Sequence, residues 1–441
     1  VFVVASAFCY LYFAYFVIRE QFTLLLVLYA LLFIGYLALV PTPANRWNTK
    51  ALLIAGLLFR LVFLITEPNL SQDYYRFIWD GQLLLKGINP YLYTPNELIA
   101  LPDFQMPNDN ALHEGMGTLS ARHYSNYPPV NQLFFAFGAL VGQGNLLGTI
   151  VGLRLSIILG DLGIYYFGRR LLGLLNADPK LIFWYFLNPL VIVELTGNLH
   201  FEGIMLCLFV SAAYLVHTKR CFEGALAYAA AIMLKLVPLL FLPLFLQSLR
   251  STKGVFFYTT VALGCLLCFA PFYHPELLAH YTKTIGLWFS NFEFNAALYN
   301  LVKYISVEWF GAKPWELIKV YGNVVKLVTL VGLLLLAWRR WPLPPKSIPQ
   351  LLLFVLATYF FIATTVHPWY LAFLVLLAVF TPYRFPIVWS GTAILSYYAY
   401  SQPGYQENLL LIALSYLLVI GYTLFELWKY ANIFTVFCKN R

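Results

Sequence analysis

The chain has 441 residues, of which 61% are hydrophobic and 11% charged, and its mean hydropathy is +0.73. Soluble domains carry about 25% charged residues, so the composition excludes a soluble globular protein and describes an integral membrane one. The net charge of +9 would suggest nucleic acid in a soluble chain, but here the basic residues gather in connections on one side of the spans, and no nucleic-acid partner is expected.

Spans of about 20 apolar residues are the unit of such a chain. They are read near 4–18, 22–40, 51–66, 150–168, 181–199, 201–217, 222–236, 237–249, 255–272, 315–338, 350–366, 369–381, 385–400 and 406–428. Several are short, and Pro238 and Pro243 bend what is otherwise one broken helix. Together they predict an all-α integral membrane protein of about 12–14 transmembrane helices, a single multipass domain over 1–441. No basic stretch precedes the first span, so no cleavable signal peptide is read. Trp and Tyr favour both membrane interfaces, in keeping with 18% aromatic residues.

After the third span the chain reads Ser71-Gln-Asp73-Tyr-Tyr75-Arg76-Phe-Ile-Trp-Asp80-Gly81, then Gly87-Ile-Asn89-Pro90-Tyr91. Ionisable groups at a membrane boundary are functional candidates by default. Positions 73, 76 and 80 fall on one side of a helix, and Phe77, Ile78, Leu84 and Leu85 form an oily stripe suited to the bilayer. Asp73 reads as a general base, or as an acid stabilising the first helical turn through the dipole. Asp80 orients Arg76, binds sugar hydroxyls or is solvated.

Residues 127–147 are apolar, yet making them a span would put Arg169 and Arg170 outside and invert every later basic connection. They are therefore read as an interfacial or re-entrant helix within a structured external loop, 67–149. A second external loop spans 273–314. Long loops in a compact protein are usually functional. With the Asp73 loop outside, the internal connections hold Arg46, Lys50, Arg169, Arg170, Lys180, Lys219, Arg220, Arg250, Lys253, Arg339, Arg340, Lys346, Arg384, Lys429, Lys439 and Arg441. Only Asp178, Glu223 and Glu426 oppose them, as the positive-inside rule requires.

Arg154 and Asp161 share a face of one span and are read as a structural pair. Asn188-Pro189 opens the outer half of another, followed by Glu194, His200 and Glu202. A proline inside a span frees backbone groups that need partners near a polar cavity. The histidine and carboxylates match no specific metal motif, so acceptor binding and local structure both stand. Lys235, between two spans, meets a lipid phosphate or snorkels to the interface. His367-Pro-Trp-Tyr370 lies where a span reaches the outside, and a cation there stabilises charge on an anionic leaving group. None of the six cysteines lies in the external loops, and Cys265-Leu-Leu-Cys268, embedded in an apolar run, reads as packing.

Taken in order, these segments resemble the glycosyltransferase C superfamily, specifically the bacterial polyprenol-phosphate-mannose-dependent mannosyltransferases (family 87-like). The resemblance rests on Asp73-Tyr-Tyr-Arg76 with Trp79-Asp80-Gly81, Gly87-Ile-Asn89-Pro90-Tyr91, Tyr127-Pro128-Pro129, Arg154 with Asp161, Asn188-Pro189 with Glu194, His200 and Glu202, Lys235 with Pro238, and His367-Pro368-Trp369-Tyr370. It covers most of 51–385. It implies a GT-C fold, with Asp73 as catalytic base. Relatives often carry a second acid two residues earlier, where this chain has Ser71, which points to a single base and away from metal dependence. Glu202 stands where relatives often have Asp.

The resemblance implies a bacterial inner-membrane enzyme with its active site facing the periplasm or exterior. Its donor is a polyprenyl monophosphate carrying a hexose, mannose being the first choice, and its acceptor a glycan or glycolipid hydroxyl. The donor sugar is already joined to phosphate, so one base and nearby positive charge suffice for an inverting displacement. His367 is the first candidate for the donor phosphate, followed by Lys235, Arg76 and Arg122. Asp80, Tyr75, Tyr127, Glu194, His200, Glu202 and Tyr370 are candidates for substrate contact. No soluble cofactor is expected and no metal ligands are assigned. The rival readings are a flippase or transporter of lipid-linked sugars, and a related transferase using arabinose, glucose or aminoarabinose. Transport usually leaves paired repeats with matching broken spans, and none is evident here.

Overall fold

The computed structural model describes residues 1–40, 47–338 and 345–439, the side chains of 288–290, 345 and 431–439 excepted. Arg46, Arg339, Arg340 and Arg441, expected in internal connections, lie outside the described residues.

The chain is all-helical, with one isolated parallel bridge, Phe294 to Thr365, among the described residues. In order come α1 (Phe2–Phe16), α2 (Phe22–Leu39), α3 (Thr49–Leu61), α4 (Asp73–Leu85), α5 (Pro95–Ile99), α6 (Asp109–Gly115), α7 (Gly117–Ala121), α8 (Pro129–Gly142), α9 (Leu146–Leu174) and α10 (Phe183–Phe186). A π-helical segment, Val191–Gly197, leads to α11 (Glu202–His217) and α12 (Cys221–Leu234). A 3-10 segment, Val237–Arg250, follows, then α13 (Thr252–Phe269), α14 (Leu277–Ser290), α15 (Leu298–Phe310), α16 (Pro314–Ala337), α17 (Ile348–Ile362), α18 (Leu371–Val379), α19 (Phe385–Thr392) and α20 (Leu409–Lys439).

Among the described residues, five helices are long and apolar enough to cross a membrane: Phe22–Leu39, Leu146–Leu174, Thr252–Phe272, Pro314–Ala337 and Leu409–Tyr430. Pro179–Phe186 and Val191–Gly197 make a sixth if the 64° bend between them lies within one span. Seven further apolar helices have 10–17 residues. Of the 12–14 spans expected, five or six are thus long and apolar enough to cross, and the others fall on shorter helices. The breaks have local causes: Pro189 lacks an N–H just before the π-helical segment, and Pro238 and Pro243 keep 237–250 from closing α-helical bonds.

Residues 129–142 form a 14-residue helix, about 21 Å long, short of the ~30 Å hydrocarbon core. It has the same length as α12, which also runs to 14 residues. Helix α8 lies between α4 and α9. Gly81 lets α4 approach it: a Cβ there would stand 2.2 Å from the Phe135 carbonyl oxygen. Gly138 does the same toward α9, where a Cβ would meet Leu153 at 2.4 Å. Small residues at such crossings bring membrane helices into close packing.

The stripe expected on α4 is split: Leu84 is half-buried and Leu85 exposed, but its first half turns inward. Phe77 and Ile78 are buried, Phe77 stacking on Phe135 at 4.6 Å between centroids and meeting Tyr127 and Phe201 edge-on. Loop 86–128 and α8 cover the first turns of the helix, so the apolar face there is consumed within the protein.

Two buried arginines fix the centre. The Arg60 Nε donates to Asp161 Oδ2 at 2.7 Å, with both side chains fully buried, and Tyr185 donates to the other Asp161 oxygen at 3.1 Å. Arg154, expected to pair with Asp161, instead donates to the carbonyls of Thr196, Gly197, Leu64 and Thr66. Those carbonyls are the ones left over where α3 and the π-helical segment end.

Candidate active site

Asp73 begins α4, and the residues before it are tied down one by one. Asn69 Nδ2 donates to the Phe13 carbonyl at 2.9 Å and also to that of Val17. The Leu70 N–H donates to Asn198 Oδ1 at 3.2 Å. Asn198 Nδ2 donates in turn to Glu194, which also accepts a 2.7 Å bond from Tyr397. Gln72 Nε2 donates to the Met116 carbonyl, and Ser71 Oγ accepts from the Asp73 N–H. The backbone that carries Asp73 is thus held by α1, the π-helical segment and the end of α6.

The Asp73 carboxylate itself makes no hydrogen bond among the described residues. It lies deep among its neighbours and is still partly open to solvent. Burial raises its pKa above the ordinary carboxylate value, with Glu202 adding to the rise and Lys235 and Arg19 opposing it. Tyr127, Tyr370 and Tyr400 are near enough to feel its charge.

Lys235 enters from the end of α12, where the backbone turns extended. Its Nζ is 3.0 Å from Glu202 Oε1 and 5.6 Å from the Tyr127 ring centroid. Beside it Trp369 is sandwiched between two imidazoles, His200 at 3.8 Å and His367 at 4.3 Å. Burial and the Lys235 charge hold His367 down to about 3, so its ring is neutral at physiological pH. His200 is likewise held well below the usual histidine value, by burial first. Neither ring therefore supplies the positive charge expected of His367. The cation nearest to both rings is Lys235, whose charge helps to hold their pKa values down.

Three polar atoms in this cluster are buried with no hydrogen-bond partner: Glu202 Oε2, His200 Nε2 and His367 Nδ1. Buried polar groups are nearly always paired, so these three atoms are free to meet a polar ligand. Among the described residues no group of three His, Cys, Asp or Glu side chains is arranged to hold a metal ion.

Two residues past Lys235, Val237 begins the lining of a cavity of about 160 Å³ between the 3-10 segment, α16 and α17, completed by Val325, Tyr359, Phe360, Thr364 and Tyr370. A second, of about 540 Å³, lies beyond Tyr127 between α8 and α13, lined by Asn89, Pro129, Leu133, Leu267 and Phe272.

Other expected site residues are placed elsewhere. Arg76 and Asp80 do share a side of α4, but they pair with each other at 2.7 Å. Arg76 also donates to the carbonyls of Ser120 and His123. Asp80 is fully buried and accepts from Ser125 and Gln132 as well. Tyr75 stacks on Tyr74 and packs against Gly115, on the loop side of α4. Arg122 is exposed and acts on His123 rather than on Asp73. Glu194 is buried as a brace behind Asn198. Sequence reasoning missed Arg19, Gln72, Trp369 and Tyr400 as site residues. Arg19 carried a signal: it is a lone cation in the turn between two spans, on the side where basic residues are not favoured.

The family profile described as alpha-(1->6)-mannopyranosyltransferase, N-terminal domain, matches residues 11–249. Alpha-(1->6)-mannopyranosyltransferase A of Mycobacterium tuberculosis is 26% identical over 196 residues, 43% of this chain and 36% of that protein. Alpha-(1->6)-mannopyranosyltransferase B of Corynebacterium glutamicum is 24% identical over 176 residues, 38% of this chain and 28% of that protein. The same organism's alpha-(1->6)-mannopyranosyltransferase A is 25% identical over 190 residues, 41% and 35% of the two chains. The aligned part spans about a third of the length of these relatives. The profile match contains Asp73, Lys235 and the whole braced loop between them, and with more than half of its residues matched the chain belongs to the alpha-(1->6)-mannopyranosyltransferase family.

Proposed function

We propose that the protein is an inverting mannosyltransferase that moves mannose from a polyprenyl monophosphate to an acceptor hydroxyl, with Asp73 as general base. The observation that carries this is the Asp73 carboxylate: without a hydrogen bond among the described residues, partly open, and facing a lysine beside three buried, unpartnered polar atoms. Asp73 takes the proton of the attacking hydroxyl as its oxygen bonds to the anomeric carbon. The bond from that carbon to the phosphate oxygen breaks, and its electron pair leaves with the polyprenyl phosphate. Lys235 offsets the charge that grows on the departing group, and His367 or His200 donates a hydrogen bond to it. The cavity beside Tyr370 takes the first isoprene units, while the rest of the tail stays in lipid.

In this reading the Asp73 end of the bundle faces the exterior of the inner membrane, and the acceptor is a glycan or glycolipid displayed there. The test is transfer of labelled mannose from a synthetic short-chain polyprenyl phosphomannose to octyl α-mannoside by the purified protein. Removal of a general base lowers rates about 100- to 10,000-fold, and Asp73→Asn is expected within that range with its fold intact. Wild-type activity in Asp73→Asn would remove Asp73 from this role.

A further inference from the structure

The turn between α1 and α2 brings a second cation to Asp73 that the chemistry above does not use. Arg19 Nη2 donates to Gln72 Oε1 at 3.3 Å and Nε to Glu20 at 3.2 Å. Its guanidinium carbon stands 5.0 Å over the Tyr400 ring. The side chain keeps 29% of its exposure, and Nη1 makes no hydrogen bond among the described residues. Gln72 directly precedes Asp73, so the guanidinium is registered against the base through one residue. Tyr400 in turn lies 6.1 Å from Phe294, which lies 4.9 Å from His367. An aromatic wall thus runs from the proposed phosphate seat to Arg19.

We propose that Arg19, Gln72 and Tyr400 form a subsite for the terminal sugar of the acceptor, Arg19 donating to its hydroxyls while the Tyr400 ring packs against the sugar. This rests on the reading of Asp73 as base. Displacement places nucleophile and leaving group on opposite faces of the donor sugar. Lys235, beside the apolar crevice and the two histidines, belongs to the leaving side. Arg19 stands apart from that crevice, its free N–H edge next to the residue that must receive the acceptor proton. A guanidinium presents a fork of donors suited to adjacent hydroxyls, which a lysine cannot reproduce.

Initial rates with octyl α-mannoside and short-chain polyprenyl phosphomannose test this in Arg19→Ala, Arg19→Lys and Tyr400→Leu. Hydrogen bonds to a charged group are worth a factor of about ten or more. Arg19→Ala is therefore expected to raise the acceptor KM about tenfold with the donor KM unchanged, and Arg19→Lys to recover part of the loss. Tyr400→Leu raises the acceptor KM as well. The charged and titratable groups around Asp73 are Lys235, Glu202, Arg19, Tyr127, Tyr370 and Tyr400. Losing Arg19 from that set moves the acid limb of the pH profile upward, which Arg19→Lys restores. A rise in donor KM alone would make Arg19 a phosphate ligand and overturn the proposal, as would unchanged constants in folded Arg19→Ala and Arg19→Lys. An active Asp73→Asn would instead sink the base assignment, independently of what Arg19 does.

Discussion

A carboxylate that serves as base must be ionised, and burial lifts the Asp73 pKa above its ordinary 3.8. Activity is therefore expected to fall as pH drops through that raised value, so the acid limb of kcat/KM lies above the normal aspartate range. Glu202 raises the same pKa. Glu202→Gln removes that negative charge and frees Lys235, both of which favour ionised Asp73, so its limb shifts to lower pH. His367, neutral down to about 3, contributes no limb near the ordinary histidine value of 6.5, and a limb there that vanished in His367→Asn would contradict the assignment of the phosphate charge to Lys235. The sequence exposed Asp73, Lys235 and His367 because polar residues are conspicuous in an apolar chain. It could not show which of them carries charge. That depends on how deeply each is buried and on the distance to Lys235, neither of which spacing along the chain records.

At the scale of elements, the sequence located helices well and partnerships poorly. Arg154 and Asp161 lie two turns apart on α9, about 10.5 Å along the axis, whereas helical neighbours are three or four residues apart. Asp161 is instead met by Arg60, 101 positions away, and no local pattern announces that. Removing one partner of a buried ion pair leaves the other charge uncompensated and costs about 3–5 kcal/mol. Asp161→Ala is accordingly expected to lower the melting temperature in detergent sharply, more than Arg60→Ala paired with Asp161→Ala does. Comparable losses in the single and double variants would mean the bridge is not the source. The α4–α8 crossing makes a second case. Gly81 is legible as a glycine within a motif, but its purpose is the 2.2 Å approach of an added Cβ to the Phe135 carbonyl. Gly81→Ala forces the helices apart at about 1–3 kcal/mol for overpacking. Since α4 carries Asp73 at its other end, kcat should fall with stability. A thermal shift with kcat untouched would show that α4 moves without disturbing its first turn.

For the whole molecule, the decisive feature is how charge divides between the two ends of the bundle. Arg19 to Gln72, Leu70 to Asn198, Lys235 to Glu202 and His200 to Trp369 put the turns after α1, α3, α12 and α17 at one end. The opposite end holds Arg169, Arg170, Lys180, Lys219, Arg220, Arg250, Lys253, Arg384 and Lys429, with Glu426 taken up by the backbone N–H groups of Arg384 and Phe385. At the Asp73 end acids are plentiful: Glu67, Asp80, Glu97, Asp103, Asp109, Glu114, Glu293 and Glu407. This division is legible in the amino-acid sequence alone, since alternating spans deal out loops by parity. The fate of α8 is not, because its apolar residues would suit a span as well as an interfacial helix. Charge alone argues that it stays uncounted among the spans, since its 14 residues equal those of α12. Basic loops stay cytoplasmic because translocating them is costly, which predicts the Asp73 end outside. In a variant whose native cysteines are replaced by serine, Asp103→Cys should react with a membrane-impermeant maleimide in spheroplasts. Lys253→Cys should react only after permeabilisation. Labelling of Lys253→Cys from outside would reverse the orientation and carry Asp73 to the cytoplasmic face. Labelling of both sites from outside would instead require one more or one fewer crossing between them, and α8 would be the first helix to reconsider.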